Sequence, residues 1–195
     1  MEIKNLKEAA QRIKKAIENK EKIILYGDAD LDGVTSVLIL KETIESLGAK
    51  VTKIYFPDRE IEGYGISEKA LENFKDLAPA LFISLDCGIG NFNEVKKAKQ
   101  LGFEVIIIDH HEILDNLPQA DIIVDPKQPG DSYPFKDFAT AGVAFKLSEA
   151  ILENKMSDFL RRNFLELVAI ATIADMMVQE GENKEMIREG LISLA

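Results

Sequence analysis

Three aspartates at every second position, Asp28, Asp30 and Asp32, form the most densely acidic short stretch with an obvious chemical use. They follow the apolar run Ile23–Leu25 and precede a helical pattern that opens at Val34, which is typical of a buried strand turning into a helix. Carboxylates that face one point repel each other and lose hydration, so a fold tolerates them only where a cation or solvent compensates. The spacing therefore favours a metal site, provided that the rest of the chain completes it.

Two further apolar runs end in residues that bind metals. Leu81–Leu85 is followed by Asp86, and Val105–Ile108 is followed by the triplet Asp109-His110-His111. One strand ending in aspartate means little, because aspartate is a common turn residue. Three such endings point to one crevice, because ligands bind outside the carboxyl ends of parallel strands.

The two histidines are the only ones in the chain and are adjacent. Directly after a strand, His110 and His111 would point to opposite sides if the backbone stayed extended, so that one could bind a metal while the other faced a substrate. Mixed carboxylate and imidazole ligands suit Mn²⁺, with Mg²⁺ or another divalent ion as a substitute.

One more acid and three cations complete the candidate residues. Asp175 interrupts the apolar stretch Leu167–Ala174, and the residues alone leave open whether it enters a site or marks a helix end at the surface. Arg59, Lys127 and Lys146 are the cations predicted to meet substrate phosphate, and a solvated surface charge is the alternative for each.

The elements that must position these residues alternate along the chain. Strands are predicted over five apolar runs, Lys22–Tyr26, Val51–Phe56, Leu81–Leu85, Val105–Ile108 and Asp121–Val124. Helices are predicted over residues 4–19, 34–47, 67–77, 93–101, 141–152, 157–177 and 184–194. The pattern predicts an α/β fold with a mostly parallel five-stranded sheet flanked by helices and a helical C-terminal part. We expect one domain over residues 1–195, with its α/β core at about 20–127 and its helical part at about 137–195.

The bulk properties exclude several classes of protein. No run approaches the roughly 20 apolar residues of a membrane span, and the start lacks a signal-peptide core, so no membrane partner is expected. Cys87 is the only cysteine, which excludes an internal disulfide and favours the cytoplasm. The net charge of −10 argues against nucleic-acid binding through broad electrostatics. The sequence leaves the oligomeric state open.

Four segments, residues 28–33, 84–88, 109–111 and 173–175, together resemble the four motifs of the DHH phosphoesterase superfamily. Within it the chain looks like the RecJ branch of single-strand-specific 5′-to-3′ exonucleases. Five further stretches support that resemblance, at residues 57–59, 62–65, 125–127, 133–135 and 141–147. The resemblance covers about residues 22–192, which is nearly the whole chain.

This resemblance implies a two-metal, Mn²⁺-dependent phosphodiesterase that releases nucleotide 5′-monophosphates from single-stranded DNA. It implies Asp28, Asp30 and Asp86 as ligands of one ion, and Asp32, Asp86, His110 and Asp175 as ligands of the other. Asp86 would bridge the ions, His111 would contact the scissile phosphate, and Asp109 would support the histidines. Asp28 stands where related branches place a histidine.

The resemblance also leaves alternatives. RecJ enzymes carry a DHH-associated domain beyond the catalytic one, which we expect to be absent from a chain that stops at Ala195, and an isolated catalytic domain would then be only weakly active. A sister-branch activity on oligoribonucleotides or cyclic dinucleotides is one alternative. A non-catalytic, replication-associated scaffold is another, and the retention of every motif acid and both histidines weighs against it.

Overall fold

A computed structural model of the chain describes residues 2–113 and 116–195. The strands are β1 (Ile23–Gly27), β2 (Lys53–Tyr55), β3 (Ala80–Leu85), β4 (Phe103–Ile108) and β5 (Ile122–Val124). They form one sheet in the order β2-β1-β3-β4-β5, and every neighbouring pair is parallel. The predicted fold class is confirmed, and the sheet is parallel throughout.

The helices are α1 (Leu6–Glu18), α2 (Leu31–Ser46), α3 (Arg59–Glu62), α4 (Glu68–Phe74), α5 (Phe92–Gln100), α6 (Thr140–Leu152), α7 (Asp158–Ala174) and α8 (Gly181–Leu194). Helices α1, α2, α6 and α7 contribute to the core on one face of the sheet, around Leu25 and Ile83. Helices α4 and α5 contribute to the core on the other face, around Phe82 and Ile107. Burial on both faces explains why β1, β3 and β5 read as continuous apolar runs. Across the two described ranges, no helix is both long and apolar enough to cross a membrane.

The predicted bounds differ from the observed ones at several element ends, and side-chain caps explain two of the differences. Helix α2 starts at Leu31 rather than Val34, because the Oδ1 atom of Asp30 accepts from the Gly33 N–H at 3.0 Å. The stretch predicted as irregular after Pro57 contains the one-turn helix α3, capped by Asp58. Helix α7 ends at Ala174 rather than Met177.

The strand order creates the crevice that the sequence predicts. The chain runs from β1 to β2 on one side and then returns to β3 on the other side of β1, so the connections diverge at the carboxyl ends of β1 and β3. Gly33 allows the β1–α2 loop to close on itself there: a methyl group at this position would lie 2.3 Å from the carbonyl oxygen of Asp28.

Candidate metal centre

A first group of carboxylates lies where β1 and β3 end. Oxygen atoms of Asp28, Asp30 and Asp86 all lie within 4.8 Å of one another. Asp86 has a φ angle of +64°, a left-handed conformation that is uncommon for a residue with a side chain and that clusters at functional sites. Its backbone N–H donates to the carbonyl of Ile108 at 3.0 Å, so the sheet holds this turn in place.

A second group lies against the first and contains the buried histidine. The Nε2 atom of His110 is 3.8 Å from Oδ2 of Asp32, 3.5 Å from Oδ2 of Asp175 and 3.4 Å from Oδ1 of Asp86. Asp175 closes α7 as its C-terminal cap with its side chain 35% exposed, so this residue marks a helix end and also enters the group. Asp86 contacts both groups, in the place that the resemblance gives to a bridging ligand.

The N-terminus of α6 holds Asp32 and Asp86 in place. The sequence did not predict this contact, although it predicted both acids as ligands. The backbone N–H groups of Thr140 and Ala141 donate to the two carboxylate oxygens of Asp32 at 2.7 and 2.8 Å. The Thr140 hydroxyl donates to Oδ1 of Asp86 at 2.9 Å. A helix N-terminus favours negative charge, so α6 partly compensates the repulsion between these acids. The available signal was a threonine opening an apolar helix after a loop rich in proline and glycine.

Asp109 organises the two histidines from a fully buried position. Its Oδ1 atom accepts from the backbone N–H of His110 at 2.8 Å, from that of His111 at 3.2 Å and pairs with His111 Nδ1 at 2.7 Å. Its Oδ2 atom accepts from Ile89 at 3.1 Å. These bonds turn the backbone, and the histidine rings lie 4.5 Å apart. The expectation that they point to opposite sides is wrong, although His110 is buried and the His111 side chain is 55% exposed.

The pKa values reflect concentrated negative charge. Burial and the charge of Asp86 raise the pKa of Asp32 to about 8, and burial and the charges of Asp30 and Asp109 raise the pKa of Asp86 to about 8. The hydrogen bond with Asp109 raises the pKa of His111 to about 9. In Asp30, burial opposes the shift, but the Gly33 N–H and Arg59 hold the pKa of the carboxyl group below its usual range.

Arg59 is the predicted substrate cation that lies at these groups. Its Nη2 atom is 2.8 Å from Oδ2 of Asp28 and 2.7 Å from Oδ2 of Asp30. The guanidinium lies 4.9 Å from the centre of the exposed Tyr64 ring. An open cleft of about 370 Å³, lined in part by Asp28, Tyr64, Asp86 and His111, leads to the carboxylates.

The other two predicted cations have protein partners. Lys127 pairs with Glu112, one residue beyond His111, at 3.0 Å, so it lies beside the cleft. Lys146 pairs with Glu182 at 2.6 Å, with its ammonium over the rings of Tyr133 and Phe138. This partly buried pair gives Lys146 a packing contact between α6 and α8, and its contact with phosphate stays a prediction.

The donor set suits a hard divalent cation. Carboxylate oxygens dominate it, one or two imidazoles join it, and the buried Cys87 belongs to none of the candidate groups among the described residues. Mn²⁺ and Mg²⁺ prefer such ligands, whereas a structural zinc site favours thiolates. Two acids with raised pKa values, placed side by side, are the arrangement that a bound cation would relieve.

The fold and the site together define a class: a parallel α/β protein with a group of carboxylates and an adjoining carboxylate-histidine group at the carboxyl edge of its sheet. The chain belongs to the DHH family, because the model of the DHH family, N-terminal domain, matches residues 22–172.

The comparisons also identify similar individual proteins. The chain is 48% identical over 190 residues to the single-stranded-DNA-specific exonuclease RecJ of Bacillus subtilis, a match that covers 97% of the chain and 23% of that relative. It is 36% identical over 191 residues to the RecJ of Thermus thermophilus, covering 97% of the chain and 28% of that relative. The chain thus spans about a quarter of the length of these curated relatives.

Solved structures agree with this placement. A crystal structure of exonuclease RecJ bound to manganese is similar with a TM-score of 0.87 at 33% identity, over 98% of this chain and 48% of that one. The RecJ of Thermus thermophilus in complex with Mn²⁺ is similar with a TM-score of 0.81 at 29% identity, over 98% of this chain and 27% of that one.

Proposed function

We propose that this chain is the catalytic domain of a RecJ-like exonuclease, which hydrolyses single-stranded DNA from its 5′ end to nucleotide 5′-monophosphates with two divalent cations, Mn²⁺ first among them. One observation carries the proposal: Asp86 adjoins two separate groups of ligand atoms, Asp28 with Asp30 and His110 with Asp32 and Asp175. Relatives named single-stranded-DNA-specific exonucleases, and related structures titled as manganese complexes, support it.

The proposed ligands divide between the two groups. Asp28, Asp30 and Asp86 would hold one ion, and Asp32, Asp86, His110 and Asp175 would hold the other. When bound, a pair of divalent ions supplies Lewis-acid stabilisation of phosphate charge and a nucleophile derived from water. The chain's own part is to keep these side chains in place, through the α6 N-terminus and through Asp109.

His111 would contact the scissile phosphate. Its Nδ1 atom is engaged by Asp109 at 2.7 Å, so Nε2 is the nitrogen left for a ligand, and the residue lines the cleft. A ring fixed by a buried carboxylate presents its N–H to a phosphate oxygen without first losing rotational freedom. Asp109 therefore acts through His111 and would not itself touch the substrate.

Arg59 would exchange its partners when the site fills. In the protein alone it compensates Asp28 and Asp30, both of which the proposal assigns to a cation. A divalent ion there would free the guanidinium for a substrate phosphate, which it can bind through two parallel hydrogen bonds. Tyr64, beneath the guanidinium, is exposed at the same cleft.

The test is a substrate panel with Mn²⁺ supplied and withdrawn. We expect the chain to degrade a 5′-labelled single-stranded DNA to mononucleotides more readily than duplex DNA, a short RNA or a cyclic dinucleotide, and to stop when a chelator is added. Asp86→Ala should lower the rate by roughly 10³-fold or more, because removal of one member of a catalytic unit disables the whole unit. The matched control is Asp121→Ala, because Asp121 lies just before the amino end of β5, at the edge of the sheet opposite the candidate metal centre.

Three outcomes would contradict the proposal. Hydrolysis of DNA by Asp86→Ala at the parent's rate would remove the assigned bridging ligand. Faster turnover of short RNA or cyclic dinucleotides than of DNA would move the chain to a different substrate class within the same family. Mn²⁺ binding without hydrolysis of any substrate on the panel would favour the scaffold.

A further inference from the structure

One ring nitrogen of His110 is left without a role by the site as described. Nε2 faces three carboxylates, whereas Nδ1 is buried and has no hydrogen-bond partner within the described ranges. A neutral imidazole carries a proton on one nitrogen and a lone pair on the other. If Nε2 offers its lone pair to a cation, Nδ1 must carry the proton, and a buried N–H is destabilising without an acceptor.

Asp125 has an unused acceptor close by. It follows β5, is fully buried, and accepts the Lys127 N–H on Oδ1 at 2.7 Å, while its Oδ2 atom is buried without a partner in the part of the chain that is described. The register pairs Ile108 with Val124, and the Asp109 N–H donates to the Val124 carbonyl at 3.1 Å. The chain segments that carry His110 and Asp125 therefore leave the sheet side by side.

The neighbouring carboxylate does not take this role. Asp109 accepts N–H groups of Ile89, His110 and His111, and its oxygens do not reach His110 Nδ1, which has no hydrogen-bond partner among the described residues. His110 Nδ1 and Asp125 Oδ2 are therefore two buried polar atoms without partners among the described residues, and adjacent chain segments carry them. A buried water can bridge two such groups where they do not meet directly.

We propose that Asp125 is a positioning residue for His110: its Oδ2 atom accepts the Nδ1 hydrogen bond, directly or through one buried water, and so leaves the Nε2 lone pair for a cation shared with Asp32, Asp86 and Asp175. This inference rests on the proposed metal site, because it assigns Nε2 to a cation. A carboxylate behind a ligating histidine fixes the ring orientation and makes the ligand more basic.

The tautomer of His110 tests the inference without metal. Long-range ¹H–¹⁵N spectra of the ¹⁵N-labelled, metal-free chain contain two imidazole rings, which a His111→Gln variant assigns. At a pH where the ring is neutral, we expect the Nδ1–H form for His110 in the parent and a shift towards the Nε2–H form in Asp125→Ala. Asp125→Asn should shift the tautomer in the same direction, because its single acceptor oxygen is taken by the Lys127 N–H and its NH2 group would face Nδ1.

Mn²⁺ affinity gives a second readout. Asp125→Ala should weaken it roughly 10- to 100-fold, as loss of a residue behind a metal ligand does, and Asp125→Asn, which keeps the shape but offers Nδ1 no acceptor, should weaken it as well. The control is Asp121→Ala: Asp121 accepts the Val105 N–H at 2.8 Å at the other end of β5, so its loss perturbs the same strand and should change neither readout.

The outcomes separate this inference from the proposed function. A parent that binds no Mn²⁺ contradicts the proposed function. Two results would overturn the role of Asp125 alone. One is a parent that binds Mn²⁺ but carries the Nε2–H tautomer of His110. The other is an Asp125→Ala variant with the parent's tautomer and the parent's Mn²⁺ affinity. If Asp125→Ala does not fold, the parent's tautomer and the Asp125→Asn affinity still decide.

Discussion

The two halves of the candidate metal centre are compensated in different ways. Asp28 and Asp30 have a cation of their own, because Arg59 lies within 2.8 Å of both. Asp32, His110 and Asp175 have no lysine or arginine pairing among the described contacts, and only the α6 N-terminus and the imidazole offset their charge. We call these the Arg59 half and the His110 half. Asp86 adjoins both.

The difference predicts an order of filling. In the His110 half a cation meets Asp32, which is buried and held by two N–H groups of α6, and the more exposed Asp175, so binding there relieves repulsion without reordering Asp32. In the Arg59 half a cation must first displace a guanidinium from two carboxylates. The His110 half should therefore bind the first equivalent of Mn²⁺ and the Arg59 half the second.

Substitution of one acid from each half gives the largest expected difference. Asp175→Asn should weaken the first equivalent of Mn²⁺ on the order of 100-fold or more, because it removes a charged ligand from the tighter site. Asp28→Asn should leave that equivalent nearly unchanged and weaken the second. Titration calorimetry resolves the two steps. A weaker first step in Asp28→Asn, with a normal one in Asp175→Asn, would reverse the proposed order.

The halves should also differ in their release of protons. The pKa values of Asp32 and Asp86 are raised to about 8, so near pH 7 much of this pair is protonated and a cation must displace a proton. Affinity for the first equivalent should rise with pH, by about tenfold per unit for each proton released, and level off above about pH 8. The pKa of Asp30 is lowered, so the second equivalent should release none from that carboxyl group.

Calorimetry in buffers of different ionisation enthalpy counts these protons. The slope of the observed binding enthalpy against the ionisation enthalpy of the buffer gives the number of protons released. We expect a value near one for the first step and near zero for the second. Equal slopes for both steps would show that the two halves titrate as one unit, and the comparison between them would then fail.

Removal of Arg59 tests whether the guanidinium competes with Mn²⁺ in the Arg59 half. Without the guanidinium, Asp28 and Asp30 repel each other, so Arg59→Ala should bind the second Mn²⁺ about tenfold more tightly, a moderate effect because the pair is partly exposed to solvent. The same variant should raise the KM for single-stranded DNA. Arg59→Lys keeps the positive charge but lacks the paired N–H donors of a guanidinium. Its affinity for the second Mn²⁺ and its KM should therefore lie between those of the parent and of Arg59→Ala. Weaker Mn²⁺ binding in Arg59→Ala would mean that Arg59 supports this ion site instead of competing for it.

The sequence predicts the sheet and the residues at its edge well, for physical reasons. Continuous apolar runs must be strands buried on both faces, and the strand ends then bring Asp28, Asp86 and His110 together whatever the loop details. The sequence could not predict contacts that depend on side-chain reach. Lys146 lies in an apolar helix and Arg59 in a polar stretch, and neither setting predicts that Lys146 pairs with Glu182 while Arg59 reaches the acids.

Backbone donors are equally hidden from a sequence pattern. The N–H groups of Thr140 and Ala141 meet Asp32 across 108 and 109 residues, and nothing in the local sequence marks an N–H as a partner of a distant carboxylate. The opposed histidines were mispredicted for a similar reason, because the prediction assumed an extended backbone that Asp109 instead turns.

Thr140 offers the smallest and most specific test of how α6 serves the two halves. Its hydroxyl donates to Asp86 while its backbone N–H donates to Asp32, so Thr140→Val removes the first bond and keeps the second. A hydrogen bond to a charged group contributes about 1.5–3 kcal/mol, and because the pKa of Asp86 is raised, the lower end of that range applies. We expect a loss of stability of about 1.5 kcal/mol and a few-fold weaker binding of both Mn²⁺ equivalents, because Asp86 adjoins both halves. Thr140→Ser should restore both properties. A variant that weakens only the second equivalent would place Asp86 in the Arg59 half alone.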